Sequence, residues 1–184
     1  MRRRSILLAI AVLAAGLLVA SLAGASGGKK NLKSDDLTGY QENPDVSSTG
    51  TGSFKATIDD DAMTISYELE YSAIEGGAAT AAHIHFGKRA VNGGVSAFLC
   101  GGGDKPACPA REGTVEGVID AADIVGPANQ GIPAGDLSEA VRSLRKGAVY
   151  ANVHTATFPG GEIRGQVNVN KGRHNGHGKG RGKG

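Results

Sequence analysis

Three histidines fall inside alternating, strand-like sequence, and no other residues in the chain are better placed to do chemistry. His83 and His85 lie in Ala82-His83-Ile84-His85-Phe86, and His154 lies in Tyr150-Ala151-Asn152-Val153-His154. Residues two apart on a strand point to the same face. His83 and His85 therefore project together, and Ile84 projects the other way. With a third imidazole from another strand, three positions of a tetrahedral or square coordination sphere are filled, and imidazole suits copper and zinc. One ion with bonds of about 2 Å needs the three ring nitrogens within about 4 Å of one another. The competing reading is a polar patch in which the imidazoles bond each other, backbone carbonyls or Thr155.

Other polar constellations carry less. Glu162 and Arg164 share a face if their segment is a strand; such a pair can sit at a catalytic site, but no nucleophile is near, so a structural ion pair between them is the expectation. Asp59-Asp60-Asp61 lacks the 12-residue spacing and closing Glu of a calcium loop, so it reads as a solvated turn. Cys100 and Cys108 flank a Gly-rich, Pro-containing loop. An even cysteine count in an exported chain favours a disulfide, worth about 2–3 kcal/mol by loop closure. The alternative, metal ligation, would need a further Cys or His at zinc-site spacing, and none is near. No nucleophile elbow, zinc-protease helix, phosphate loop or dinucleotide fingerprint is present. No catalytic residue is assigned, and the expectation is a protein that is not an enzyme, with a redox-active copper protein as the alternative.

The elements that must position these residues are short strands. Met63, Ile65, Tyr67, Leu69 and Tyr71 alternate with polar residues, the clearest two-residue period in the chain. Residues 52–58 alternate as well, and the three aspartates between the two runs make a hairpin turn. Further strands are expected at 80–86, 95–99, 113–119, 148–154 and 162–169, separated by Gly and Pro. One segment departs from this. Asp136 and Glu139 have the spacing of a capping box, Leu137, Ala140, Val141 and Leu144 recur at helical spacing, and Gly147 ends the run. The fold class expected is all-β, a Greek-key sandwich or barrel of about 7–9 short strands with one short helix near 136–146.

The ends differ from the middle. Arg2, Arg3 and Arg4 precede an uncharged apolar run closing on Ala23-Gly24-Ala25, the layout of a secretory signal peptide over residues 1–25. An uncleaved anchor is the rival, since about 20 apolar residues span a bilayer; the arginines also permit twin-arginine export. After cleavage no membrane span remains in the sequence. Residues 26–36 read as a basic, polar leader and 37–169 as the domain. Residues 170–184 read as a disordered Gly/His-rich tail, with five Lys/Arg and two His (His174 and His177) in 171–184. Residues 34–170 hold 9 basic and 18 acidic residues, a formal charge of −9, so the overall value of +2 hides an acidic domain with basic ends. The tail is expected to meet anionic envelope polymers with a salt-sensitive affinity. With aromatics at 4%, stacking on single-stranded nucleic acid is not expected.

Four segments together resemble the CHRD domain family, the chordin-type domain found in exported bacterial proteins. They are LTGYQENP at 37–44, GSF at 52–54, AHIHFG at 82–87 and AVYANVHTATFPGGEIRGQ at 148–166. The resemblance implies an all-β domain used outside the cytoplasm, at the cell surface, in the periplasm or secreted, with no enzymatic activity to carry over. The growth-factor-binding cysteine-rich modules of chordin are absent here, so that role is not implied. AHIHFG is also similar to the His-x-His strand of copper/zinc superoxide dismutases, which would place His83, His85 and His154 at copper-ligand positions. The chain offers no bridging His, no His/Asp zinc cluster and no Arg to guide superoxide. The two expectations are thus a non-enzymatic CHRD binding or structural module, and a copper- or zinc-binding protein using the three histidines.

Overall fold

The structure, a computed structural model, describes residues 28–169. The signal-peptide reading of 1–25 and the tail reading of 170–184 lie outside the described residues. Nine strands and one α-helix follow in the order β1 (Lys30–Ser34), β2 (Leu37–Thr38), β3 (Thr51–Asp59), β4 (Thr64–Ser72), β5 (Ala79–Phe86), β6 (Gly94–Cys100), β7 (Gly113–Ile119), α1 (Leu137–Arg145), β8 (Val149–Thr155) and β9 (Ile163–Val169). The all-β class expected from the alternation is the one observed.

All strand pairings are antiparallel, in the order β6-β5-β8-β9-β1-β3-β4-β7, with β2 bridging β3 and β9. The sheet curls until its two ends meet. β6 and β7 lie against one another, and the Tyr67 hydroxyl on β4 donates to the Leu99 carbonyl on β6 at 2.7 Å. Curling gives the sheet one enclosed face. There Phe54, Ile58, Ile65, Leu69, Ile84, Leu99, Val153 and Ile163 are almost wholly buried. The helix closes part of this core with Leu137, Ala140 and Leu144, and the Asp136 carboxylate caps it by accepting from the Glu139 amide at 3.0 Å.

The domain begins earlier than its sequence pattern indicates. Residues 26–36 were expected to be a leader outside the fold, yet β1 lies inside the sheet, paired with β3 and β9 on its two sides. Leu32 and Ser34 face inward, and the Ser34 hydroxyl accepts from the Phe54 amide at 2.9 Å. Lys33 is exposed on the outer face of the strand, and Lys30 is exposed at its start. The Cys100–Cys108 disulfide is formed, with Cα atoms 5.0 Å apart. The Asp59–Asp61 turn is held by the Asp59 carboxylate, which accepts from the Asp61 and Ala62 amides at 3.1 and 3.0 Å.

Candidate metal centre

The convex face of β5, β8 and β9 carries a polar layer that is nevertheless buried. Because strand side chains alternate, Ile84, Ala151, Val153 and Ile163 go to the core, while His83, His85, Tyr150, Asn152, His154, Arg164 and Gln166 go outward. His85, Tyr150, Asn152, His154, Arg164 and Gln166 are all at most 9% exposed. Burying polar groups is costly unless they find partners, so each partner shows what its residue does.

Most of the layer is internally satisfied. Gln166 donates to the carbonyls of Gly87, Gly147 and Val149 at 2.9–3.1 Å. Arg164 forms a buried ion pair with Glu42, Nη2 to Oε2 at 2.7 Å, and its Nε donates to the same oxygen at 2.9 Å. Asn152 donates to the other Glu42 oxygen. The expected Glu162–Arg164 pair does not form. Glu162 precedes β9, after Gly161 at φ +128°, where an added Cβ would lie 2.3 Å from Asn152. The chain therefore turns before the strand begins, and the two side chains do not share a pleat. The Glu162 carboxylate accepts from the Ser48 and Thr155 hydroxyls and from the Glu75 and Gly76 amides at 2.5–2.9 Å. Burial opposes its ionisation, but these hydrogen bonds outweigh burial and hold its pKa below the usual value.

The three histidines do come together. One nitrogen from each lies within 4.8 Å of the others, and His83 Nδ1 is 3.0 Å from His154 Nε2. Ligands of one ion sit about 3.3–4.1 Å apart at bonds of about 2.0 Å. The cluster's spread exceeds the roughly 4 Å that one ion needs, and the closest contact is a hydrogen bond, so the rings are held as they stand by each other and by backbone carbonyls. Its proton positions follow from its neighbours. A carbonyl only accepts, so His85 Nδ1–H donates to Gly93 O and His154 Nδ1–H donates to Pro159 O, each at 3.0 Å. His85 then presents a free Nε2 lone pair, as metal-bound histidines anchored through their other nitrogen do, whereas the Nε2 lone pair of His154 accepts from His83 Nδ1–H at 3.0 Å.

Among the described residues, three buried side-chain polar atoms have no partner, and two of them are His83 Nε2 and His85 Nε2. Burial and the neighbouring imidazoles hold His83 down to about 3. His85 is held down to about 4, by burial above all, and burial lowers His154 as well. The rings are neutral at pH 7, as ligands must be. Phe98 packs edge-on against His83 at 4.5 Å, and Tyr150 stacks flat on His85 at 4.8 Å. The Arg164 guanidinium carbon lies 4.3 Å over the Tyr150 ring.

Comparison with known proteins identifies the domain. A family model for the CHRD domain matches residues 34–167. The protein belongs to the CHRD family. No curated protein and no solved structure matches the chain. The CHRD match spans the histidine strands, the Glu42 loop and the β8–β9 segment, so the whole polar layer lies within the family domain. The disulfide fits an oxidising compartment, and no helix among the described residues is long and apolar enough to cross a membrane.

Sequence reasoning did not find Glu42, Tyr150 or Asn152. The signal for two of them was present, since Tyr150, Asn152 and His154 alternate on one face of β8. Glu42 lay within the LTGYQENP segment, but nothing there linked it to Asn152 and Arg164, more than a hundred residues away.

Proposed function

We propose that this CHRD domain is an exported, non-enzymatic binding module, and that its covered convex face binds one copper or zinc ion through His83, His85 and His154. The observation that carries this is the pair of buried imidazole nitrogens, His83 Nε2 and His85 Nε2, that no protein group satisfies. Leaving such atoms unpaired costs about 1–3 kcal/mol each, a cost that a bound ion removes. The set is all imidazole, which ranks copper above zinc. A bound ion would supply Lewis acidity or, as copper, one-electron chemistry. The chain's own contribution is to keep the rings neutral, to orient two of them through Gly93 and Pro159, and to shield them with Phe98 and Tyr150.

Location outside the cytoplasm is supported by the disulfide and by the signal-peptide pattern of residues 1–25. The basic tail then serves to hold the acidic domain on anionic envelope polymers. Retention on isolated envelope that is equal with and without residues 171–184, and insensitive to salt, would remove that role from the tail.

The metal reading is tested by titrating the mature protein with copper and zinc and counting bound ions by elemental analysis. The expected result is one more ion per chain for the wild type than for a His83→Ala/His85→Ala variant. That variant keeps His174 and His177, so any uptake by the tail cancels in the comparison. Equal uptake by the two proteins would sink the proposal.

A further inference from the structure

We infer that the Glu42–Arg164 ion pair is a positioning device for His85, acting through the loop at residues 88–93. This rests on the metal reading for its purpose, though the state it fixes exists in the metal-free protein. The Gly93 carbonyl receives the His85 Nδ1–H and so leaves the Nε2 lone pair free. Gly93 itself is in no strand, though Gly94 beside it begins β6 and pairs with Phe86; the rest of the loop, residues 88–92, has no sheet pairing. It is held from the outside.

Arg164, anchored on Glu42, donates through Nη1 to the Val91 carbonyl at 3.3 Å and through Nη2 to Asn92 Oδ1 at 2.8 Å. Asn92 in turn donates to the Asn43 carbonyl at 2.8 Å, and Asn43 donates to the Ala90 carbonyl at 3.1 Å. Three successive loop residues, 90 to 92, are thereby tied to the segment that carries Glu42. At Gly93 the backbone approaches so closely that an added Cβ would lie 1.9 Å from the Phe86 carbonyl oxygen. The loop must therefore close tightly, and its amide donates to the Tyr150 hydroxyl at 3.2 Å.

A neutral imidazole chooses its tautomer by the partner it is offered. With the loop released, the Gly93 carbonyl no longer enforces Nδ1–H on His85, and the proton redistributes between the two nitrogens. His154 supplies an internal control. It is anchored on Pro159 O, in a different loop that the ion pair does not hold.

The test is a nitrogen-15 spectrum of the histidine rings in metal-free protein at neutral pH, for the wild type, Asn92→Ala and Arg164→Lys. The wild type should show His85 and His154 both as Nδ1–H tautomers. In the variants His85 alone should move toward the Nε2–H form, and copper affinity should fall about tenfold or more. If Arg164→Lys fails to fold, Asn92→Ala decides, because it cuts the Asn92 links that tie the loop to the ion pair and to the Asn43 segment without burying an unpaired charge. An unchanged His85 tautomer in folded Asn92→Ala overturns the inference, whether or not copper binds. A shifted tautomer in a protein that takes up no copper supports the positioning role and removes the metal reading instead.

Discussion

Two convex faces of the same sheet have been used in opposite ways. On β3, β4 and β7 the outward residues include Lys55, Ser66, Glu70 and Glu116, all exposed to water. Lys55 and Glu68 meet at 2.6 Å, but both remain solvated. On β5, β8 and β9 the outward residues are equally polar, yet loops cover them. Water satisfies the first set whatever its identity, whereas each member of the second set needs a specific partner. Gln166, Asn152 and Arg164 find partners inside the protein; His83 and His85 each keep one nitrogen without any. Under cover, an unmet hydrogen-bonding atom is the feature on which the metal proposal rests. On the open face the same atom would carry no information.

The largest test of this contrast removes Arg164. Arg164→Met leaves the Glu42 carboxylate buried without its cation and should lower unfolding free energy by about 3–5 kcal/mol in urea melts. A loss no larger than that of a surface variant would show that the covered face tolerates unpaired charge, and the comparison would collapse. Acidification is an intermediate test. Unfolded histidines take up protons near pH 6.5, whereas His83 and His85 in the folded protein resist until about 3 and 4. The metal-free protein should therefore be most stable above pH 6.5 and lose stability progressively as pH falls toward 4. Thermal melts should show a decline of several degrees over that range, flattened in His83→Asn/His85→Asn. A parallel decline in both proteins would assign the acid sensitivity to other groups. The smallest effect belongs to the open face. Lys55→Ala/Glu68→Ala should leave the melting midpoint within error of the wild type, because solvated pairs contribute little; a clear drop would mean that this face is less open than its exposure indicates.

Much of this architecture was legible because it rests on local alternation. Ile65, Tyr67, Leu69 and Tyr71 could only be one face of a strand, and the Asp136 cap marked the helix. His83 and His85 were legible for the same reason. What was hidden depends on distance or on a single residue. β1 holds one core-facing apolar residue, Leu32, among Lys30, Asn31 and Lys33, too few to show a period; its neighbours β3 and β9 define it. The partners of Arg164 and Glu162 were misread because a spacing of two implies a shared face only if both residues lie within the strand. The turn at Gly161 places Glu162 outside it.

The position of β1 bears on how the chain reaches this form. Its residue Leu32 pairs with Val169, so among the described residues the first strand is flanked by the last. Until residue 169 is available, β1 has only its β3 neighbour, and the seam between β1 and β9 stays open. Such end-to-end closure carries a long loop-entropy cost and slows folding. A chain moved across a membrane from its amino end would therefore travel unfinished, and would complete its sheet only after its carboxyl end had followed.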